Sequence, residues 1–316
     1  MKIIDSHRHV GLAGFDLPVI LRQMDREGIE MSWLLTWEEI DPPLKTIYIG
    51  LPPEPVLEAC EKHPDRFIPF YAPDPSGPDP GKMIRQYSKL GIRGCGELKV
   101  SLRWEDPLIE KYLEAVQTHH FPLVFHMEQP RYQYFQSGEG FFQWLLERLL
   151  NDKFNGVSRY YLNRLAETTG ILRKKIEKNR VCFPGILFDF AFLERRVVQF
   201  PGIRFIGHGP DFWNHISITR HPRYIHQKGA YNTFGIIDRL LESYPNFYCD
   251  ISGVSGFNAL HRDRRMARIF LEKHADKILF GTDNTDLPLL ELLRSVNPGK
   301  EKMNRILRTN ALRVLE

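Results

Sequence analysis

Short apolar runs rich in Ile, Val, Phe and Tyr recur along the chain, beginning near Lys2, Met31, Arg66, Arg93, Pro122, Arg204, Asn246 and Lys277. Each reads as a buried strand. Between them lie amphipathic stretches with apolar positions at helical spacing. Leu17 to Glu27 is the clearest, with Asp16 as N-cap, Pro18 in the first turn and Gly28 as the stop. Further helices are expected over Pro55 to His63, Pro80 to Leu90, Pro107 to His119, Phe190 to Phe200, Phe234 to Tyr244, Ala259 to His274 and Leu287 to Ser295. Successive strand starts are 29, 35, 27, 29, 82, 42 and 31 residues apart, so all intervals but one approximate a single strand–loop–helix–loop unit. Eight such alternations specify an α/β fold of the (β/α)8 TIM-barrel type, forming a single domain over residues 1–316.

The long interval after the fifth strand carries about 50 residues more than its neighbours. Its extra segment, Glu128 to Pro184, has helical patterns over Phe141 to Asn151, Tyr160 to Thr168 and Ile171 to Asn179, and is rich in aromatics. It follows a strand's C-terminal end, the face where barrel enzymes do chemistry, so it is expected to be a helical cap over a site. A packing or subunit-contact role is the alternative.

In such a barrel the residues that converge are those at the strands' C-terminal ends. Strand one ends in His7 and His9, whose i, i+2 spacing puts both imidazoles on one face of a strand. Strand four offers Glu97 and Lys99, strand five His126, strand six His208, strand seven Asp250 and Ser252, and strand eight Asp283. Imidazole nitrogen and carboxylate oxygen both suit a divalent ion, zinc foremost, and three histidines with one aspartate leave a position for water. The expectation is a single ion on His7, His9, His126 and Asp283, able to lower the pKa of water towards neutrality. Asp250 is expected to hold backbone amides of its loop. Lys99 is either an anchor for a substrate carboxylate or a salt-bridge partner at the rim. Trp37, Trp104, Arg131, Tyr132, Trp213 and Arg223 form an aromatic, arginine-containing rim, of which Lys99, Arg131, Trp37 and Trp213 are the candidates for substrate contact.

Charge and composition narrow the function further. The 43 basic and 39 acidic residues leave a net charge of +4, and no basic tail stands apart from the helical segments, so nucleic acid is not an expected partner. No apolar run approaches the roughly 20 residues needed to cross a bilayer. Cys60, Cys95, Cys182 and Cys249 are widely spaced and the chain shows no cleavable apolar leader, as expected of reduced thiols in a cytoplasmic protein.

Taken as a set, these strand ends resemble the amidohydrolase superfamily. Asp5-Ser6-His7-Arg8-His9 looks like its D-x-H-x-H motif. Phe200 to Gly209, with a proline before the strand and His208 before a glycine, resembles the sixth strand of the amidohydrolase-related branch. Asn246 to Gly253 and Ile278 to Asp283 resemble its seventh and eighth strands, and Ile306 to Leu315 its closing helix with an Asn-Ala pair. The branch includes aminocarboxymuconate-semialdehyde decarboxylase and related non-oxidative decarboxylases. The resemblance implies one divalent metal on His7, His9, His126 and Asp283, with Asp283 also taking a proton from water and His208 polarising the substrate carbonyl. It also implies a departure at Asn284, which stands where an aromatic residue is common. Glu97 lies where other amidohydrolases keep a group bridging two metals. The binuclear variant has Glu97, His126 and His208 sharing a second ion while His7, His9 and Asp283 hold the first.

These readings converge on a metal-dependent hydrolase acting on an ester, lactone or amide bond of a small, carboxylated or aromatic molecule. The alternative is a decarboxylase using the same site. A TatD-like nuclease rests on Gly96-Glu97 alone, and a non-catalytic binding barrel requires the desolvation of unpaired imidazoles without return. Barrels of this type often pair through helices, so a homodimer is expected.

Overall fold

A computed structural model describes residues 2–12, 14–38, 50–134, 164, 180–221 and 225–316; of residues 131–134 and 180–183 only the backbone is described. Eight strands run parallel: β1 (Ile3–Arg8), β2 (Ile29–Leu34), β3 (Phe67–Pro69), β4 (Cys95–Leu98), β5 (Leu123–His126), β8 (Phe205–His208), β9 (Phe247–Asp250) and β10 (Ile278–Leu279). They form two sheets, β1-β2-β3 and β10-β9-β8-β5-β4. Backbone hydrogen bonds cross both seams between these sheets. At one, Phe70 pairs with Gly94 and Tyr71 N donates to Gly94 O at 3.1 Å; at the other, Ser6 N donates to Phe280 O and Asp283 N to His7 O, each at 2.8 Å.

Two cores follow from this arrangement. Ile4, Trp33, Phe70, Val124, Ile206, Tyr248 and Leu279, taken from successive strands, pack together with Ala311 and Val314 of the C-terminal helix as a layer inside the barrel. The larger core lies between strands and helices. At β4 the inner layer has only Gly96, where a Cβ would stand 2.9 Å from Val124 Cβ, so the interior is filled to contact there. The layer floors the barrel. Chemistry is left to the strands' C-terminal ends.

Register decides which side chains face that end. Ile4 points into the barrel, and ordinary alternation would bring Ser6 and Arg8 in after it. Between Asp5 and Arg8, however, β1 spends three residues where β2 spends two, pairing Asp5 with Ser32 and Arg8 with Leu34. This bulge shifts the alternation, so His7 and His9 face inwards and Arg8 faces helix α1 (Leu17–Glu27). A second shift between Cys95 and Leu98 of β4, against Leu123 and Phe125 of β5, brings Glu97 inwards by the same means.

Helix α1 begins and ends as its sequence predicts, with the Asp16 carboxylate accepting from Val19 N and Gly28 left-handed at φ 71°. The stretch from Ala259 to His274 is not one helix. It divides into Gly253–His261 and Arg264–Lys273, because Asp263 leaves helical geometry and caps the second helix through Met266 N. Among the described residues no helix is long and apolar enough to cross a membrane. The segment after β5 departs and returns through an antiparallel pair, β6 (Arg131–Tyr134) and β7 (Arg180–Phe183), with Arg131 opposite Phe183. The helices expected within it lie outside the described residues, save for the helical Arg164.

Candidate metal centre

At the C-terminal end of the barrel, His7 Nε2 and His9 Nε2 face each other at 3.0 Å, both side chains fully buried. The opposite nitrogen of each ring is fixed. His9 Nδ1 lies 2.9 Å from Leu35 O, which can only accept, and His7 Nδ1 lies 2.5 Å from the Asp250 carboxylate. Both Nδ1 atoms therefore carry a proton, and the two facing Nε2 atoms need a positive charge between them, either a metal ion or the extra proton that His7 readily takes up.

Carboxylates complete the cage. Asp283 Oδ1 lies 3.7 Å from His7 Nε2 and 3.4 Å from His9 Nε2, and Glu97 Oε2 lies 3.8 and 3.7 Å from the same atoms. Ligands about 2.1 Å from one ion stand roughly 3.0–3.4 Å apart, so His7 and His9 with either carboxylate close on an ion with small adjustments. Glu97 Oε2 is buried and accepts no hydrogen bond among the described residues, although Lys99 Nζ lies 3.1 Å away. The donor chemistry, the facing Nε2 atoms and the Glu97 oxygen turned towards them fit a divalent metal.

Glu97 also belongs to a second group. Its Oε1 lies 2.7 Å from His126 Nδ1, and Glu97, His126 and His208 present ligand atoms within 4.8 Å of one another. The structure thus places His126 with Glu97 and His208, while His7 and His9 meet at Glu97's other oxygen and Asp283 approaches the same two histidines. Glu128, which the sequence reading did not single out, stands on the far side of His126, its carboxylate 3.4 Å from Nε2.

The surrounding residues hold this geometry. Asp5 accepts from His7 N, Arg8 Nε, Thr282 N and Thr282 Oγ1, at 3.1, 2.6, 3.0 and 2.7 Å, which fastens the ends of the first and last barrel strands together. Arg8 also donates to Gln23 at 2.7 Å, so its buried charge is paired and hydrogen-bonded. Asp250 does hold a backbone amide, accepting from Ser252 N at 2.7 Å, and its second oxygen orients His7. That second role, across 243 residues, leaves no local mark in the sequence. Both φ values at Asp283 and Asn284 are +51°, a left-handed turn that lifts the Asp283 carboxylate over the cage. Its side chain remains 28% exposed, where His7 and His9 are sealed, so the solvent side of the cage is the Asp283 side.

Charge within the site is strongly coupled. Burial opposes protonation of His7, but Asp250, Glu97 and Asp283 outweigh it and hold its pKa well above the ordinary imidazole range. Burial likewise works against ionisation of Glu97, yet Lys99 and His126 keep its carboxyl well below the usual carboxylate range. For Asp283 burial is overcome by His9, His7 and His208, which also hold it ionised. His208 moves the other way, pushed down to about 4 by burial and by the charge on His7, and is neutral near pH 7. Its Nδ1 lies 3.1 Å from Ser252 Oγ and its Nε2 3.7 Å from Asp283 Oδ2.

The candidate substrate contacts fare differently. Trp37 packs edge-on against His9 with ring centres 4.6 Å apart, and Lys99 Nζ sits 3.9 Å from the centre of the Trp37 ring. Lys99 and Trp37 therefore form one wall of the cage. Trp213 is buried beneath the site, its indole donating to Asp250 O at 3.0 Å, because the short helix Pro210–Asn214 turns it inwards. Trp104 is fully buried in the outer core. Strand β6 places Arg131 at the neck of the insertion, while the side chains of Arg131 and Tyr132, and all of Arg223, lie outside the described residues.

Residues 53–316 match the amidohydrolase family model, and the chain belongs to that family. The first strand, with His7 and His9, precedes the matched stretch. No curated protein matches the chain. Among solved structures it is similar to an uncharacterised TIM-barrel protein from Bordetella bronchiseptica, at 15% identity and a TM-score of 0.59, covering 100% of this chain and 98% of that one. A probable 2-pyrone-4,6-dicarboxylic acid hydrolase from Acinetobacter baumannii with citric acid bound is similar at 12% identity and TM-score 0.53, over 100% and 99% of the two chains. A 5-carboxyvanillate decarboxylase from Sphingomonas paucimobilis shows 12% identity and TM-score 0.53, over 99% and 98%. At these identities the likeness carries the barrel fold.

Proposed function

We propose that this amidohydrolase-family enzyme is a metal-dependent hydrolase that cleaves an ester, lactone or amide bond of a small carboxylated or aromatic molecule. The observation that carries the reading is Asp283, the one carboxylate of the cage with solvent access, set beside His9 and the neutral His208. His7, His9, Glu97 and Asp283 would hold a divalent ion, which would supply a Lewis acid and lower the pKa of water towards neutrality. Zinc is the ion expected of this donor set. Asp283 takes the proton of the attacking water, and returns it to the leaving oxygen or nitrogen as the acyl bond breaks. With Ser252 Oγ–H donating to Nδ1, the His208 proton sits on Nε2 and is offered to the carbonyl oxygen as charge develops there. Trp37 and Lys99 give the site an aromatic face and a positive charge, which is what supports the substrate class.

A second ion on Glu97, His126 and His208 is the alternative form of this proposal, supported by the two oxygens of Glu97 facing separate ligand groups, and in it His208 would bind metal instead of polarising the carbonyl. Metal analysis of protein purified without chelator reads the count directly, as two ions per chain or one. The insertion after β5 acts as the cap in this reading, since its neck rises from the end of the strand that carries His126.

Lys99 also favours a second reading, decarboxylation, in which its ammonium pairs with a substrate carboxylate beside the metal and Asp283 or His208 delivers a proton to carbon. A panel of aromatic esters, lactones, amides and hydroxylated aromatic acids separates the two. Acid release abolished by Asp283→Asn, with kcat down about 10²- to 10⁴-fold, supports hydrolysis. Carbon dioxide release from the acids without acid release from any ester, lactone or amide would replace it by decarboxylation.

A further inference from the structure

Among the described residues, β1 finds main-chain partners on the side facing the eighth barrel strand only as far as His7. Ser6 N donates to Phe280 O and Asp283 N to His7 O, and then the two left-handed residues Asp283 and Asn284 turn the chain away. Among the described residues, His9, two residues on, has no main-chain hydrogen-bond partner on that side. The Asn284 side chain takes that place: its Oδ1 accepts from His9 N at 3.0 Å and its Nδ2 donates to His9 O at 2.6 Å. The residue is buried. Asparagine suits the position on two counts, because it tolerates the left-handed backbone and offers a donor and an acceptor on one planar group.

We propose that Asn284 is a positioning residue for the metal centre, its amide standing in for the missing strand and locking His9 to the adjacent ligand Asp283. One covalent unit, Asp283-Asn284, then carries a ligand and also clamps the backbone of another ligand from a strand 275 residues away. The separation between His9 Nε2 and Asp283 Oδ1 is fixed from both sides, since Leu35 O already holds the far edge of the His9 ring. The inference rests on the cage being a metal centre and is independent of which reaction the centre runs.

The test is zinc release from the full-length, zinc-loaded protein into an excess of chromophoric chelator. Asn284→Gly removes both hydrogen bonds yet accepts the positive φ freely, so it separates the clamp from backbone strain. Release is expected to quicken about 10- to 100-fold, the usual effect of losing a group that orients a metal ligand. Asn284→Asp retains the acceptor and the left-handed turn but sets an oxygen against His9 O, and should also release zinc faster. Asn246→Ala is the control, because Asn246 donates to Val197, Phe200 and Ile203 carbonyls away from the cage. It should lower thermal stability and leave the release rate unchanged. Equal release from Asn284→Gly and the wild type sinks the clamp alone, as does equal acceleration in Asn246→Ala. Wild-type protein that retains no zinc overturns the metal-centre reading and the clamp together.

Discussion

Replacing Asp250 by asparagine changes one atom's chemistry and forces a choice on His7. Asp250 is fully buried, with one oxygen accepting from Ser252 N at 2.7 Å and the other 2.5 Å from His7 Nδ1. An amide has a single acceptor. If that acceptor stays with Ser252 N, the NH2 faces Nδ1, and the His7 proton must move to Nε2, the atom that points into the cage. A protonated Nε2 cannot bind metal. If the amide rotates instead, the buried Ser252 N–H loses its partner at a cost of about 1–3 kcal/mol. Either outcome weakens metal binding by about 10- to 100-fold, or roughly 1.4–2.7 kcal/mol. Equilibrium competition with a chelator of known zinc affinity, run on folded protein near pH 7.5, measures it. Affinity within a factor of about two of wild type, with the fold intact, would falsify the assignment of Asp250 as the group that fixes the His7 tautomer.

Two further perturbations test the scaffold. Burial raises the Asp211 carboxyl to about 7, far above its ordinary 3.8, so the folded state holds a proton that the unfolded chain releases. Stability from this group is full below pH 4 and drains as pH rises to 7; Asp211→Asn should therefore gain stability over the wild type across that window, by up to about 4 kcal/mol, and none below it, as read by denaturant unfolding at several pH values. A Cβ on Gly207 would lie 2.0 Å from the Phe212 ring, inside the buried core and one residue before His208. Gly207→Ala should cost about 1–3 kcal/mol of stability by overpacking and lower kcat as His208 shifts; an unchanged melting temperature would show that Phe212 is free to move aside.

What the sequence discloses is largely what period and punctuation disclose. The strand-ending His7 and His9 are legible because alternation alone puts them on one face, and α1 is legible because Asp16 and Gly28 mark its ends. The break at Asp263 is hidden, since apolar spacing continues through it and only the capping bond to Met266 N ends the run. Trp213 reads as a rim residue from its place after β8, but a five-residue helix too short to leave a periodic signal turns it into the core. The bond from Asp250 to His7 spans 243 residues and Asn284's hold on His9 spans 275, so neither has any local trace. Glu97 shows its ligand chemistry in sequence, yet its position between two groups depends on a bulge in β4 that composition does not signal.

The paired strands at the insertion's neck bear on how such an enzyme changes its diet over evolutionary time. Because Arg131 and Phe183 stand opposite one another, and Glu128 pairs with Ile186 just beneath, the chain returns to the barrel where it left it. Anything grafted between these points starts and finishes in the same place, whatever its length. Doubling such an excursion costs only about 0.6 kcal/mol in closure entropy, and the ligand-bearing strands need not shift to accept it. A lineage can therefore exchange the inserted segment while the barrel and its candidate metal ligands stay as they are.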